Sequence, residues 1–280
     1  MSLDRARRPG PTVRVQVREQ RADEPERRRE DRLATEEPLE IRLAWPGSAP
    51  QRVWVTMRTP GHDFELAAGW LVHEGLAAPG AVHGVAYCTD VELTPEQELN
   101  VVTVTLSQPP LRDPGPRHAG HSSGSSACGV CGKDSVTEAL AVPASAGGRY
   151  AGAPVAPDVV RTLPRRLRTA QKVFDRTGGV HAAGLATAAG DLLVVREDVG
   201  RHNAVDKVTG ARVLAGSSPA DACLVVSGRA GFELVQKAVA AGVGSLVAVG
   251  APTSLSVRLA TDAGLELWGF VDERRCVQYA

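Results

Sequence analysis

A chain of 280 residues has room for two ordinary domains, at roughly 150 residues each. Its composition is 43% apolar but only 4% aromatic, which predicts cores built from Ala, Val and Leu rather than from rings. Thirty-two basic residues cancel thirty-two acidic ones, an argument against bulk nucleic-acid or membrane-surface binding that leaves room for a local basic site.

No run approaches the roughly 18 to 20 apolar residues that a membrane-spanning helix requires. The start of the chain, with Arg5, Arg7 and Arg8 ahead of Pro9, lacks the apolar stretch of a secretory signal. Five cysteines, Cys88, Cys128, Cys131, Cys223 and Cys276, are odd in number and mostly far apart, unlike a disulfide framework. A cytoplasmic protein with reduced thiols is expected.

In chain order, residues 1–36 carry Arg27, Arg28, Arg29, Glu30, Asp31 and Arg32 with scarcely any apolar periodicity, so a disordered charged leader is expected. An α+β unit over 37–108 follows. Leu39, Ile41 and Leu43 alternate with polar residues, as do Val53, Val55 and Met57, the period of half-buried strands. Thr59-Pro60-Gly61-His62-Asp63 reads as a turn into a helix through Leu66, Ala67, Trp70 and Leu71 that stops at Gly75, with Asp63 its expected N-cap. Further strands are predicted at 82–87 and 101–106.

Residues 109–133, rich in Pro, Gly and Ser, have no periodicity and read as a mobile loop that delivers the chain to Cys128-Gly129-Val130-Cys131-Gly132. Ser135-Val136-Thr137-Glu138 then matches a capping box opening a short helix. After an Ala, Gly and Pro-rich linker at about 143–157, a basic helix is predicted over 157–176. Apolar runs at 192–195, 224–226, 246–249 and 265–271 alternate with helical segments at 204–214, 232–241 and 255–263. Residues 134–280 are therefore predicted to form an α/β domain with strand–helix crossovers, and Ser254 is the expected cap of the last helix.

Three segments carry residue types suited to chemistry. The two thiols of Cys128 and Cys131 are close enough to share one centre, and the field of the following helix with Lys133 would raise the thiolate fraction. Sulfur chemistry leads. Half a zinc site lacks a second close pair of ligands, a redox pair lacks the preceding aromatic-rich strand, and incidental pairing on an exposed arm is an oxidation liability. The second segment, Arg196-Glu197-Asp198-Val199-Gly200-Arg201-His202-Asn203 with Asp206 and Lys207, follows an apolar run directly. That is where α/β sheets bind ligands, and His181 after Gly178-Gly179 joins it if that turn lies nearby. The third, Ser227-Gly228-Arg229-Ala230-Gly231, together with Gly250-Ala251-Pro252-Thr253-Ser254, places glycine turns before helices where an anion could sit, with Arg229 forking onto it. Neither matches a Walker loop or a dinucleotide fingerprint. Together they suggest a large anionic ligand containing a nucleotide.

Taken together, Arg58-Thr59-Pro60-Gly61, Glu74-Gly75, the Cys128–Gly132 motif, Thr177-Gly178-Gly179-Val180-His181, the string from Glu197 to Lys207 and Ser227-Gly228-Arg229 resemble the FdhD-type formate dehydrogenase accessory sulfurtransferases, over about residues 36–280. The resemblance implies a cytidine-deaminase-like α/β domain with the smaller α+β domain before it. It implies a homodimer that takes sulfur from a cysteine desulfurase, carries it as a persulfide on Cys128 with Cys131 assisting, and hands it to the bis-molybdopterin guanine dinucleotide cofactor of formate dehydrogenase, with no metal held permanently. The cofactor-binding residues it implies are Phe270, Val271, Asp272, Glu273, Arg274 and Arg275, beside His181, Asp198, Arg201, His202, Ser227 and Arg229. Asp272 and Glu273 depart from the basic residue and glycine of the family pattern, and two carboxylates would repel a pyrophosphate. A second reading is a chaperone that binds the molybdenum cofactor without obligatory sulfur transfer. Deamination is rejected: His73-Glu74 lacks the spacer of His-x-Glu, and Ala127 stands where proline should precede Cys128.

Overall fold

The structure, a computed structural model, describes residues 10–89, 93–94, 97–114, 140, 145 and 147–280. Cys128, Cys131, most of the loop expected at 109–133 and the helix expected after Ser135 lie outside the described residues.

The expected disordered leader is overturned from residue 12 onward. Strands β1 (Thr12–Glu19) and β2 (Arg27–Ala34) pair as an antiparallel hairpin. Val13, Val15 and Val17 supply a period of two in β1, but β2 has no apolar alternation. Its charges pair diagonally instead, as in Arg14–Glu30 at 3.1 Å and Arg29–Glu19 at 3.6 Å, although Arg14 faces Arg32 and Arg18 faces Arg28 directly.

The next unit is a four-stranded sheet in the order β4-β3-β6-β5, formed by β3 (Glu37–Trp45), β4 (Ser48–Arg58), β5 (Val82–Tyr87) and β6 (Val101–Leu106). Leu39, Ile41 and Leu43 of β3 and Val102, Val104 and Leu106 of β6 point to one face, which helix α1 (Asp63–His73) covers through Leu66, Ala67, Trp70 and Leu71. Trp54 of β4 stacks on Trp70 with ring centroids 4.8 Å apart. Asp63 is not the N-cap. That place belongs to His62, in the left-handed region at φ 59, while the Asp63 carboxylate turns back to accept from the Gly61 N–H and the Arg58 guanidinium.

The second unit is a six-stranded sheet in the order β12-β11-β10-β9-β7-β8. Its strands are β7 (His181–Ala186), β8 (Leu192–Asp198), β9 (Cys223–Val226), β10 (Ser245–Ala248), β11 (Glu266–Gly269) and β12 (Val277–Gln278). β9, β10 and β11 are parallel, and β7 runs antiparallel between β8 and β9. β9 and β10, buried on both faces, read as nearly continuous apolar runs. In β9, Leu224 and Val226 face helices α4 (Arg201–Leu214), α5 (Phe232–Ala241) and α6 (Ser254–Ala263), whereas Cys223 and Val225 face α2 (Pro157–Ala170). The helix expected over 157–176 breaks at Gln171 and resumes as the short α3 (Phe174–Thr177). At α6 the cap is Thr253, in a reciprocal pair with Ser256, rather than Ser254.

The two units are joined where α1 crosses α4. Gly69 lies against the Asp206 backbone carbonyl, and Gly210 lies against that of Glu65. Only glycine permits this approach. Buried polar groups flank the crossing. Asp206 accepts from Lys237 at 2.7 Å and from His73 Nδ1 at 2.5 Å, and the Thr209 hydroxyl donates to His73 Nε2 at 3.0 Å. Burial lowers the pKa of His73 despite its carboxylate neighbour, so the imidazole is neutral and Lys237 carries the charge that balances Asp206.

Candidate functional site

β8, β9, β10 and β11 all end at one edge of the six-stranded sheet, where β7 begins at His181. Outside this edge lies a cleft of about 1110 Å³, at the carboxyl ends of strands where α/β sheets bind ligands. The strand ends contribute His181, Val199, Ser227, Val249, Val271 and Asp272 to its lining, and Glu273 follows them. The opposite wall is the last turns of α2 and the short α3.

Five of the residues predicted from sequence therefore meet in one place: His181, Ser227, Val271, Asp272 and Glu273. His181 stands opposite Asp198 in the β7–β8 register, so the Gly178-Gly179 turn does lie beside the Glu197–Lys207 segment. Burial, then the charge of Arg201 and the proximity of His202, lower the His181 pKa. It presents a neutral imidazole to the cleft. The Ser227 Oγ accepts from the Ala182 N–H at 2.9 Å, leaving its proton free to donate.

Asp198, expected at the ligand site, does not line the cleft. It is fully buried, and its carboxylate accepts from the N–H groups of Thr59 and Gly200, the Asn203 amide and Lys207 Nζ, the last at 2.6 Å. Every acceptor position faces the protein. Lys207 also donates to the Thr59 carbonyl at 2.8 Å, so this pair fastens the Arg58–Gly61 turn to the start of α4. His202 is buried as well, with Nε2 2.7 Å from Glu233. Arg229 is exposed beside Gly250, and Phe270 lies under the Arg275 guanidinium, 5.3 Å from it. Neither Arg201, Arg229, Phe270, Arg274 nor Arg275 lines the cleft.

The two carboxylates expected to repel an anion are engaged. Asp272 accepts from the N–H groups of Arg274 and Arg275 at 2.7 and 3.0 Å, bonds that hold its pKa below the usual range. Glu273 pairs with Arg165 at 2.9 Å. The sequence reading missed the other wall: Arg165, Arg168 and Gln171 line the cleft, and the only trace of them was the basic character of the 157–176 segment. Glu197 shapes that wall by accepting from the N–H groups of Val173 and Phe174, both at 2.8 Å.

Of the described cysteines, Cys223 is buried, which pushes its thiol up to about 12. It is inert as a nucleophile. No described helix is long and apolar enough to cross a membrane.

The sequence profile of the FdhD/NarQ family matches residues 34–280. The chain belongs to the FdhD/NarQ family. A sulfur carrier protein FdhD from Corynebacterium efficiens is 44% identical over 273 residues, covering 90% of each chain. One of the same name from Streptomyces coelicolor is 48% identical over 248 residues, 87% of this chain and 85% of the relative. The crystal structure of a provisionally assigned formate dehydrogenase accessory protein from Desulfotalea psychrophila superposes with a TM-score of 0.71 at 20% identity, covering 96% of this chain and 97% of that one. At that identity the likeness concerns the fold. The family's profile begins at Ala34, the last residue of β2, so nearly all of the β1–β2 hairpin lies outside it.

Proposed function

We propose that this member of the FdhD/NarQ family is a sulfurtransferase that serves formate dehydrogenase. The Cys128 thiolate attacks the outer sulfur of a persulfide on a cysteine desulfurase. The donor's S–S bond breaks, its cysteine leaves as thiolate, and Cys128 becomes the persulfide. Cys131 assists release: its thiolate attacks the inner sulfur, expels hydrosulfide to the acceptor and leaves a Cys128–Cys131 disulfide, which a dithiol reductant reopens. The acceptor is the bis-molybdopterin guanine dinucleotide cofactor, bound as substrate in the cleft at the strand ends. The protein works in the cytoplasm as a homodimer.

The observation that carries this reading is family membership over residues 34–280, with relatives named as sulfur carriers. The cleft supports it physically. His181 and Ser227 offer neutral hydrogen-bonding groups, and the cavity is large enough to take a nucleotide portion of the cofactor.

Chain length is compatible with transfer over a distance. The last described residues before the cysteines are fixed near the end of α1, where the Leu111 N–H donates to the Leu76 carbonyl. After them, Gly147 lies beside Pro79 and Pro219, past the carboxyl end of α4. The cleft lies at the opposite end of α4, a helix of 14 residues and so about 21 Å long. Fourteen residues from Pro114 to Cys128 span at most about 50 Å when extended, enough to cover it.

The test is Cys128→Ala. A folded variant that still binds GDP but leaves formate dehydrogenase inactive supports the carrier. Full client activity from that variant would sink it in favour of a cofactor chaperone.

A further inference from the structure

Arg165, Arg168 and Gln171 occupy one face of the end of α2, three residues apart, and all three line the cleft. Gln171 is only 3% exposed and forms part of the cleft wall. A carboxamide at the edge of a cavity can both donate and accept a hydrogen bond.

The two arginines have partners of a replaceable kind. Arg168 lies 4.8 Å from the centre of the Phe174 ring and meets Asp175 at 2.6 Å, while Arg165 meets Glu273 at 2.9 Å. In both pairs each side chain is more than half exposed, so the attraction is screened and the pair holds weakly. A guanidinium fork accepts carboxylate or phosphate oxygens in the same geometry, and phosphate brings more charge. Neighbours three apart on a helix stand about 5–6 Å apart, a spacing that suits two linked phosphates.

We infer that Arg165 and Arg168 bind the diphosphate group of the ligand, displacing Glu273 and Asp175, which hold the arginines in place while the cleft is empty. Gln171, deeper in the wall, bonds the nucleoside side of the same ligand. This rests on the reading of the cleft as the cofactor site. It also gives the two unexpected carboxylates of the Asp272-Glu273 turn different roles. Asp272 shapes the turn through backbone N–H groups, and Glu273 competes with the ligand.

Titration calorimetry of the full chain with inorganic pyrophosphate and with GDP separates the parts. Arg165→Ala and Arg168→Ala are each expected to weaken both ligands roughly ten-fold or more, the loss of a charge-assisted bond. Glu273→Gln and Asp175→Asn are expected to tighten both by up to about five-fold, because a competing surface partner is removed. Gln171→Leu should weaken GDP and leave pyrophosphate unchanged. All four charge variants are at exposed positions, so their folding is not at issue. If wild-type protein binds GDP and the arginine variants bind it equally well, the inference fails while the cleft stands as the cofactor site. Weaker binding after Glu273→Gln also overturns it. If wild-type protein binds neither ligand, the reading of the cleft falls too.

Discussion

Asp198 and Lys207 show a polar motif beside the cleft that serves the fold. Both are essentially buried and 2.6 Å apart, and their remaining bonds go to backbone groups of the 59–61 turn and the start of α4. Removing one partner strands a charge in the interior, at a cost of about 3–5 kcal/mol. Lys207→Met is therefore expected to lower the urea midpoint steeply, and adding Asp198→Asn should recover part of the loss. A midpoint unmoved by Lys207→Met would show that the pair holds nothing. Glu65 makes a pH-dependent link between the two units, because Arg196 grips it with bonds of 2.5 and 2.7 Å. Burial opposes its ionisation, but Arg196 and His62 outweigh burial and take its pKa from 4.5 to about 2. A depressed carboxylate stabilises the fold above its unfolded value and loses that contribution as pH falls from about 4.5 towards 2. Glu65→Gln should accordingly flatten the acid side of a stability–pH curve in that window. His73 acts at milder pH: its lowered pKa means that unfolded chains take up the proton first, so stability should decline as pH drops below 6.5.

At the level of elements, the crossing of α1 and α4 is the joint most sensitive to a single atom. A methyl group on Gly210 would meet the Glu65 backbone, which cannot swing aside as a side chain would. Gly210→Ala is expected to cost about 1–3 kcal/mol or more through forced separation of the helices, seen as a lower melting midpoint. Gly216→Ala tests a different quantity, backbone strain at φ 67 with open space around it, and should cost less. The Gly210 contact was not visible in the sequence, where that glycine sits among ordinary helix residues. Periodicity did disclose most strands. The alternations at Leu39–Leu43 and Val53–Met57 became β3 and β4, and the apolar runs beginning at Leu224 and Leu246 fell within β9 and β10. It failed where side-chain pattern and backbone pairing part company. β2 is held by its ladder and by cross-strand charge, β7 reads His-Ala-Ala-Gly-Leu-Ala with hardly a β-branched residue, and β12 is two residues long.

For the whole molecule, the site was legible in part for a topological reason. His181, Ser227 and the turn at 271–273 are separated by about 45 residues each in sequence, but strand–helix alternation brings successive strand ends to one edge. The α2 wall follows no such rule. It is placed by packing of Val160, Leu163 and Leu167 on the far face of the sheet, which tertiary contacts alone decide. Two buried ionic clusters and the glycine crossing join the units into a scaffold behind the cleft, and the covalent reach from Pro114 to Cys128 makes transfer from an external donor to that cleft feasible. The central claim is that Cys128 carries the travelling atom. Intact-mass analysis after incubation with a cysteine desulfurase and cysteine tests it most directly. The account predicts a gain of one sulfur that maps to Cys128, disappears on reduction and is absent from Cys128→Ala, whereas an unchanged mass in the folded wild-type protein would contradict it.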